Sequence, residues 1–172
     1  TGGWEEEVVQ PGEFTWRWQR LLPTNLTLYV FQLSPQQTNA SVRGTLPSAA
    51  TYASLLDGSP AFSYNVSFDI AYRVSPAALP GLARDDGLRP EALQEYYRSM
   101  ETRLAERAKN VIIERLSEDP NQFATTEAYS RLQEAAVQDL SASFAELNIV
   151  AVDLLRLELP DLALYDRARE LY

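Results

Sequence analysis

Any acid–base chemistry in this chain has to come from carboxylates. Histidine and cysteine are both absent. That removes imidazole bases, thiolate nucleophiles, the Ser-His-Asp triad, disulfides and structural zinc at one stroke. What remains is 24 Asp and Glu against 15 Lys and Arg, of which only Lys109 is a lysine. Glu5 to Glu7, and Asp85 with Asp86, have the residue types of a general acid/base pair or a hard-cation site. No calcium-loop spacing surrounds either group, so both read as solvated charges. Lys109 among many serines suggests a Ser-Lys hydrolase. It falls on the polar face of a predicted helix, however, and no nucleophile elbow or glycine-rich oxyanion loop accompanies it. Asn-X-Ser/Thr triplets at Asn25, Asn39 and Asn65 lie in predicted strands and read as chance occurrences. Trp16 and Trp18 with Arg17 and Arg20 have the makings of a membrane-interface strip, the alternative being a sheet face packed in the core.

The elements that must position these residues follow from periodicity. "FSYNVSFDIAYRV" (62–74) places an apolar side chain at every even position, from Phe62 to Val74, with small and polar residues between. Alternating side chains of a strand point to opposite faces, so this is one long strand with a wholly apolar face. "GWEEEVV" (3–9) and "FTWRW" (14–18) read as strands joined by a "PGE" turn. "NLTLYVFQL" (25–33), apolar on both faces, reads as a central strand. "TNASVRGTL" (38–46) is a weaker strand, and 46–60 is a loop or short helix. Ser75 before Pro76 marks a helix start.

From Pro90 to about Leu116 the period becomes helical, with Leu93, Tyr97, Met100, Leu104, Ala108, Val111 or Ile112, and Leu116 on one stripe. Glu95–Arg98, Arg103–Glu106 and Glu106–Lys109 are spaced to pair on its outer face. "SEDPN" stops this helix. A second begins near Thr125 or Thr126 and runs to Leu147, with Leu132, Ala136, Leu140, Phe144 and Leu147 inward. Residues 148–160 return to strand grammar, but the polar face changes sides between Asp153 and Arg156, which a β-bulge would repair. A closing strand at 149–159 is followed by "DLALYDRARELY", the start of a further helix. Strands, two long helices, then a closing strand give an α+β fold: a mostly antiparallel sheet in the first half packed by two long helices.

The balance of 45% hydrophobic and 23% charged residues is that of a globular chain, and 172 residues suffice for one domain. A net charge of −9 disfavours nucleic-acid binding and electrostatic adhesion to anionic lipids. No apolar run approaches the roughly 20 residues of a membrane span. The first residue is Thr1 rather than methionine, which suggests an excised piece whose targeting or membrane segment lies elsewhere.

Three pieces, in order, resemble the stomatin/prohibitin/flotillin family, also called the SPFH or band 7 domain. "VVQPGEFTWRWQRLLPTN" looks like its proline-glycine, aromatic, then proline entry. "VSFDIAYRVSP" is similar to its long strand, ending in a tyrosine-arginine-aliphatic step before a proline-started helix. "LNIVAVDLLRLELP" resembles the strand that follows its second long helix. Asn148 stands where the family often has glycine. Together the pieces span nearly the whole chain.

The resemblance implies an SPFH domain over 1–160 and the start of a helical, coiled-coil extension over 161–172. It also implies a membrane-associated scaffold rather than an enzyme. Such a protein needs no cofactor or metal, forms homo-oligomers, organises membrane microdomains, and holds or regulates membrane proteases or channels. On that reading Trp16, Arg17, Trp18 and Arg20 face the membrane, while Leu162, Tyr165, Ala168 and Tyr172, at spacings of three and four, start an oligomer seam. The rival expectation is a carboxylate-based hydrolase or small-ligand-binding domain with a pocket between sheet and helices.

Overall fold

The computed structural model describes residue 4 and residues 7–13, 27–123 and 127–172. Among the described residues the sheet has three strands in the order β1-β2-β3, both pairs antiparallel. They are β1 (Gln36–Thr45), β2 (Ser63–Val74) and β3 (Leu147–Glu158). α1 (Ala49–Ala53) and α2 (Leu79–Asp85) flank β2 in sequence. The two long helices α3 (Leu93–Glu118) and α4 (Ala128–Ser143) lead into β3, and α5 (Leu162–Leu171) follows it. The fold is α+β, as the order of the elements requires.

β2 is central because it alone has an unbroken apolar face. Its burial alternates along the whole strand, and Val66, Phe68, Ile70, Tyr72 and Val74 are all 0% exposed. α3 packs over β1 and α4 over β3, with the two helices against each other. The inward stripe of α3 is Leu93, Tyr97, Met100, Leu104, Ala108, Val111, Ile112 and Leu116. Where β2 ends, Tyr97 joins strand to helix. Its Oη accepts the Val74 N–H at 3.3 Å, its carbonyl accepts the Tyr72 hydroxyl at 3.2 Å, and the two rings meet edge to face at 5.9 Å. Burial, then the charge of Glu101, pushes the Tyr72 phenol well above its ordinary range, so it stays a donor.

The shift of polar face along β3 is a bulge: Ser67 pairs with Arg156 and Phe68 with Leu154, leaving Leu155 without a partner. A second bulge, which no polar residue marks in the sequence, leaves Val150 unpaired between Ala151 and Ile149. Both extra residues point outward, 56% and 57% exposed respectively for Val150 and Leu155.

Several expected elements differ. The central strand expected at 25–33 is not found: residues 25 and 26 lie outside the described residues, and 27–35 has no regular secondary structure and joins no strand among them. Tyr29, Phe31 and Leu33 are half-buried while Leu28 and Val30 are each 68% exposed. The two helices cover one sheet face only, and β2, apolar on that face alone, fits the centre better than a run apolar on both. Of the strand expected at 3–9, residue 4 and residues 7–9 are described and lie in no strand; the turn at "PGE" is present, with Gly12 at φ 88. The strand expected at 14–18 and the proposed helix start at Thr125 or Thr126 lie outside the described residues. α4 ends at Ser143, four residues short of the expected Leu147; Phe144 and Leu147 are buried, but Phe144 lies in the turn and Leu147 opens β3.

Candidate functional site

Among the described residues, the side chains singled out in the sequence do not converge. Asp85 pairs with its neighbour Arg84 at 2.8 Å, a hydrogen bond that holds its carboxyl below the usual range, and both groups are exposed. Lys109 pairs with Glu106 at 2.8 Å on the surface of α3, as its spacing predicts. Arg103 instead turns away from Glu106 and lies over the Phe144 ring, 5.4 Å from its centroid. Of the triplet asparagines, Asn39 donates to Asp69 Oδ1 at 2.8 Å and Asn65 to Glu158 Oε2 at 2.9 Å. Asn25, Trp16, Arg17, Trp18, Arg20, Glu5 and Glu6 lie outside the described residues.

The expected seam residues of α5 are taken up largely within the chain. Leu162, Tyr165 and Ala168 are buried. Asp161 caps the helix by accepting the Leu164 N–H at 2.9 Å. Tyr165 donates its hydroxyl to the Pro47 carbonyl at 2.7 Å and meets Tyr52 and Phe62 edge to face. Tyr172, at 80% exposure, remains at the surface. Three buried residues at helical spacing suit a seam or a core equally well, and here they close the gap between α5 and the α1 corner.

Two surfaces combine unusual residues. The first is the sheet face away from the helices, where a polar ladder runs across the strands: Arg43 to Asn65, Asn65 to Glu158, Arg156 to Glu158, and Asn39 to Asp69. On it Asp69 stands directly opposite Asp153, a like-charge pairing that destabilises a sheet. The second is a groove of about 420 Å³ along the outer side of β3, between that strand and α4. Val137, Ala151 and Val152 give it an apolar floor, and Glu134, Asp153, Gln133 and Gln138 its polar rim. Glu134, Val137 and Gln138 lie three and four apart on α4, beside its buried stripe of Ala128, Leu132, Ala136 and Leu140. Nothing in the periodicity of either element announces this groove, because it exists only once β3 is known to be an edge strand. A second hollow of about 450 Å³ at Val30, Gln32, Ser34 and Pro90 adjoins Arg89, whose guanidinium lies 4.8 Å from the Tyr29 ring centroid and 5.4 Å from that of Trp4. That contact ties the 27–35 segment to the start of α3.

No group of three or more metal-ligating side chains occurs among the described residues. No helix among them is long and apolar enough to cross a membrane.

No protein-family model matches the chain. An uncharacterized protein of Treponema pallidum (strain Nichols) is 25% identical over 174 residues, covering 100% of this chain and 59% of that protein. The chain thus spans less than two thirds of the length of this curated relative.

Proposed function

We propose that this chain is the SPFH-like domain of a membrane-associated scaffold of the stomatin/prohibitin type. It is non-enzymatic, assembles into homo-oligomers, organises membrane microdomains, and holds partner membrane proteins such as proteases or channels. The observation that carries this reading is where two of the family-like pieces fall. "VSFDIAYRVSP" forms the buried central strand and runs through Ser75 into a proline-started turn. "LNIVAVDLLRLELP" forms β3, and Pro160 hands the chain directly to α5, where the resemblance calls for a coiled coil. Tyr172 and Leu171, exposed at the end of α5, are the residues from which a seam would continue.

Light scattering on this chain and on a longer natural chain that continues past Tyr172 tests the proposal, with and without lipid vesicles. The expected result is a monomer or weak dimer for the former, since α5 is shorter than the roughly 12 to 15 residues of a marginal isolated helix, and large oligomers for the latter. A longer chain that stays monomeric in both conditions overturns it. The carboxylate-hydrolase or small-ligand alternative has the α4–β3 groove to use. Turnover that survives purification and disappears in Asp153→Asn would favour it.

A further inference from the structure

The two bulges of β3 bracket a short regular window. Val150 and Leu155 have no partners on β2, but between them Ala151 to Leu154 pair one for one with Ala71 to Phe68. The groove beside α4 lies along this window, since Ala151, Val152 and Asp153 line it. Among the described residues no strand adjoins the other side of β3, so the outward backbone groups of the window are free to pair.

The rim is acidic and exposed. Neither Glu134 nor Asp153 has an ion-pair partner among the described residues. Asp153 also faces Asp69 across the sheet. A cation held beside Asp153 on that face relieves the like-charge pair it makes with Asp69, and the bulge side chains Val150 and Leu155 give apolar contact at either end. A second copy of this chain is a poor occupant, because its net charge of −9 opposes the approach of like surfaces.

We propose that the groove between α4 and β3 is a strand-addition site for an extended, basic segment of a partner protein. The segment pairs its backbone with Ala151 to Leu154, sets small apolar side chains on Val137 and Val152, and directs a lysine or arginine to Asp153 on the open face, with Glu134 adding negative charge on the helix side. The bulges limit the paired length to about one window, which makes the contact short and reversible. The site stands apart from the scaffold reading, since a chain that never oligomerises still has this edge.

The test uses fluorescence anisotropy with labelled peptides of about eight residues, a length suited to one added strand. One alternates valine and lysine, a second replaces lysine with glutamate, and a third is the lysine peptide N-methylated at alternate amides. The lysine peptide is expected to bind at least about tenfold more tightly than either of the others, roughly 1.4 kcal/mol. The double variant Glu134→Lys, Asp153→Lys is expected to reverse the preference toward the glutamate peptide. Glu91→Lys with Glu95→Lys makes the same change in net charge around the start of α3, away from the groove, and is expected to leave it in place. Should the groove variant fail to fold, Asp153→Asn carries the test, with a loss of about threefold expected at a single neutralised rim charge. Equal binding of the methylated peptide, or equal effects of the groove and control variants, overturns the proposal. So does self-association of the unliganded chain through amides 150–155 in NMR spectra, which would assign the edge to a second copy.

Discussion

β2 and β3 have the same length, 12 residues each, lie side by side, and draw on similar apolar residues, yet they are built for different work. Every second residue of β2 is buried and its pairing with β1 is unbroken. β3 keeps register with β2 only by omitting Val150 and Leu155, and most of its residues are exposed or half-buried. A central strand is fixed from both sides and tolerates no slip, because one residue of shift would turn its whole apolar face to water. An edge strand is fixed from one side, so it can absorb extra residues and present them outward. Stability resides in the first strand, and the capacity to meet another molecule in the second.

The sharpest way to break that contrast is Phe68→Ala. Phe68 is 0% exposed at the centre of β2, and its removal is expected to destabilise the chain by about 3 to 5 kcal/mol in urea unfolding. A loss no larger than that of an edge residue would mean that the two strands do not differ as described. Next comes Gly44→Ala. Gly44 pairs with Tyr64, whose buried ring lies where a Cβ at position 44 would sit. Displacing that ring is expected to cost about 1 to 3 kcal/mol, and an unchanged midpoint would show that Tyr64 has room to move.

Asp139→Asn addresses the helices above the strands. The Arg107 guanidinium donates to both Asp139 oxygens at 2.7 Å and holds the carboxyl below its ordinary value. A lowered folded-state value favours folding above the unfolded pKa of about 3.9, and that contribution disappears as pH falls through the folded value. Arg107 and Asp139 are 37% and 29% exposed, so screening keeps the expected loss at pH 7 under about 1 kcal/mol. The gap between variant and parent should be constant from neutral pH to about 5 and close below about 4; a gap that persists at lower pH would place the effect elsewhere. Smallest of all, Leu155→Ser and Ser67→Ala are each expected to shift stability by no more than about 0.5 kcal/mol. A larger loss at Leu155 would give the bulge residue a structural duty within the single chain.

How much of this was legible depended on where polar residues interrupt apolar ones. Ser63, Asn65, Ser67 and Asp69 mark the open face of β2, and charged residues between the apolar positions mark the outside of α3, so both buried faces were readable residue by residue. Asp153 and Arg156 betrayed one bulge. The other lies in Ile149, Val150, Ala151 and Val152, an apolar run that leaves no trace of register. The same ambiguity made 25–33 look like a central strand, because a segment apolar on both faces carries no parity. The groove was invisible for a different reason. Its lining comes from two elements whose adjacency is a property of the fold, and Glu134 and Asp153 are 19 residues apart in sequence, with no motif between them.

The closing contacts of the fold also set its timetable. Asn65 bonds to Glu158 across 93 residues, and Tyr165 reaches the Pro47 carbonyl across 118. During synthesis, β2 therefore leaves the ribosome long before β3 exists to cover its second flank, and the β1 corner waits for α5. Such distant pairings fold slowly, since loop closure must precede the contacts that reward it. Until β3 docks, the nascent chain presents a strand with one open edge, rich in valine, isoleucine and phenylalanine. Chaperone demand should thus fall sharply once residues 147–158 have emerged, a dependence that arrest of translation before and after that point would reveal.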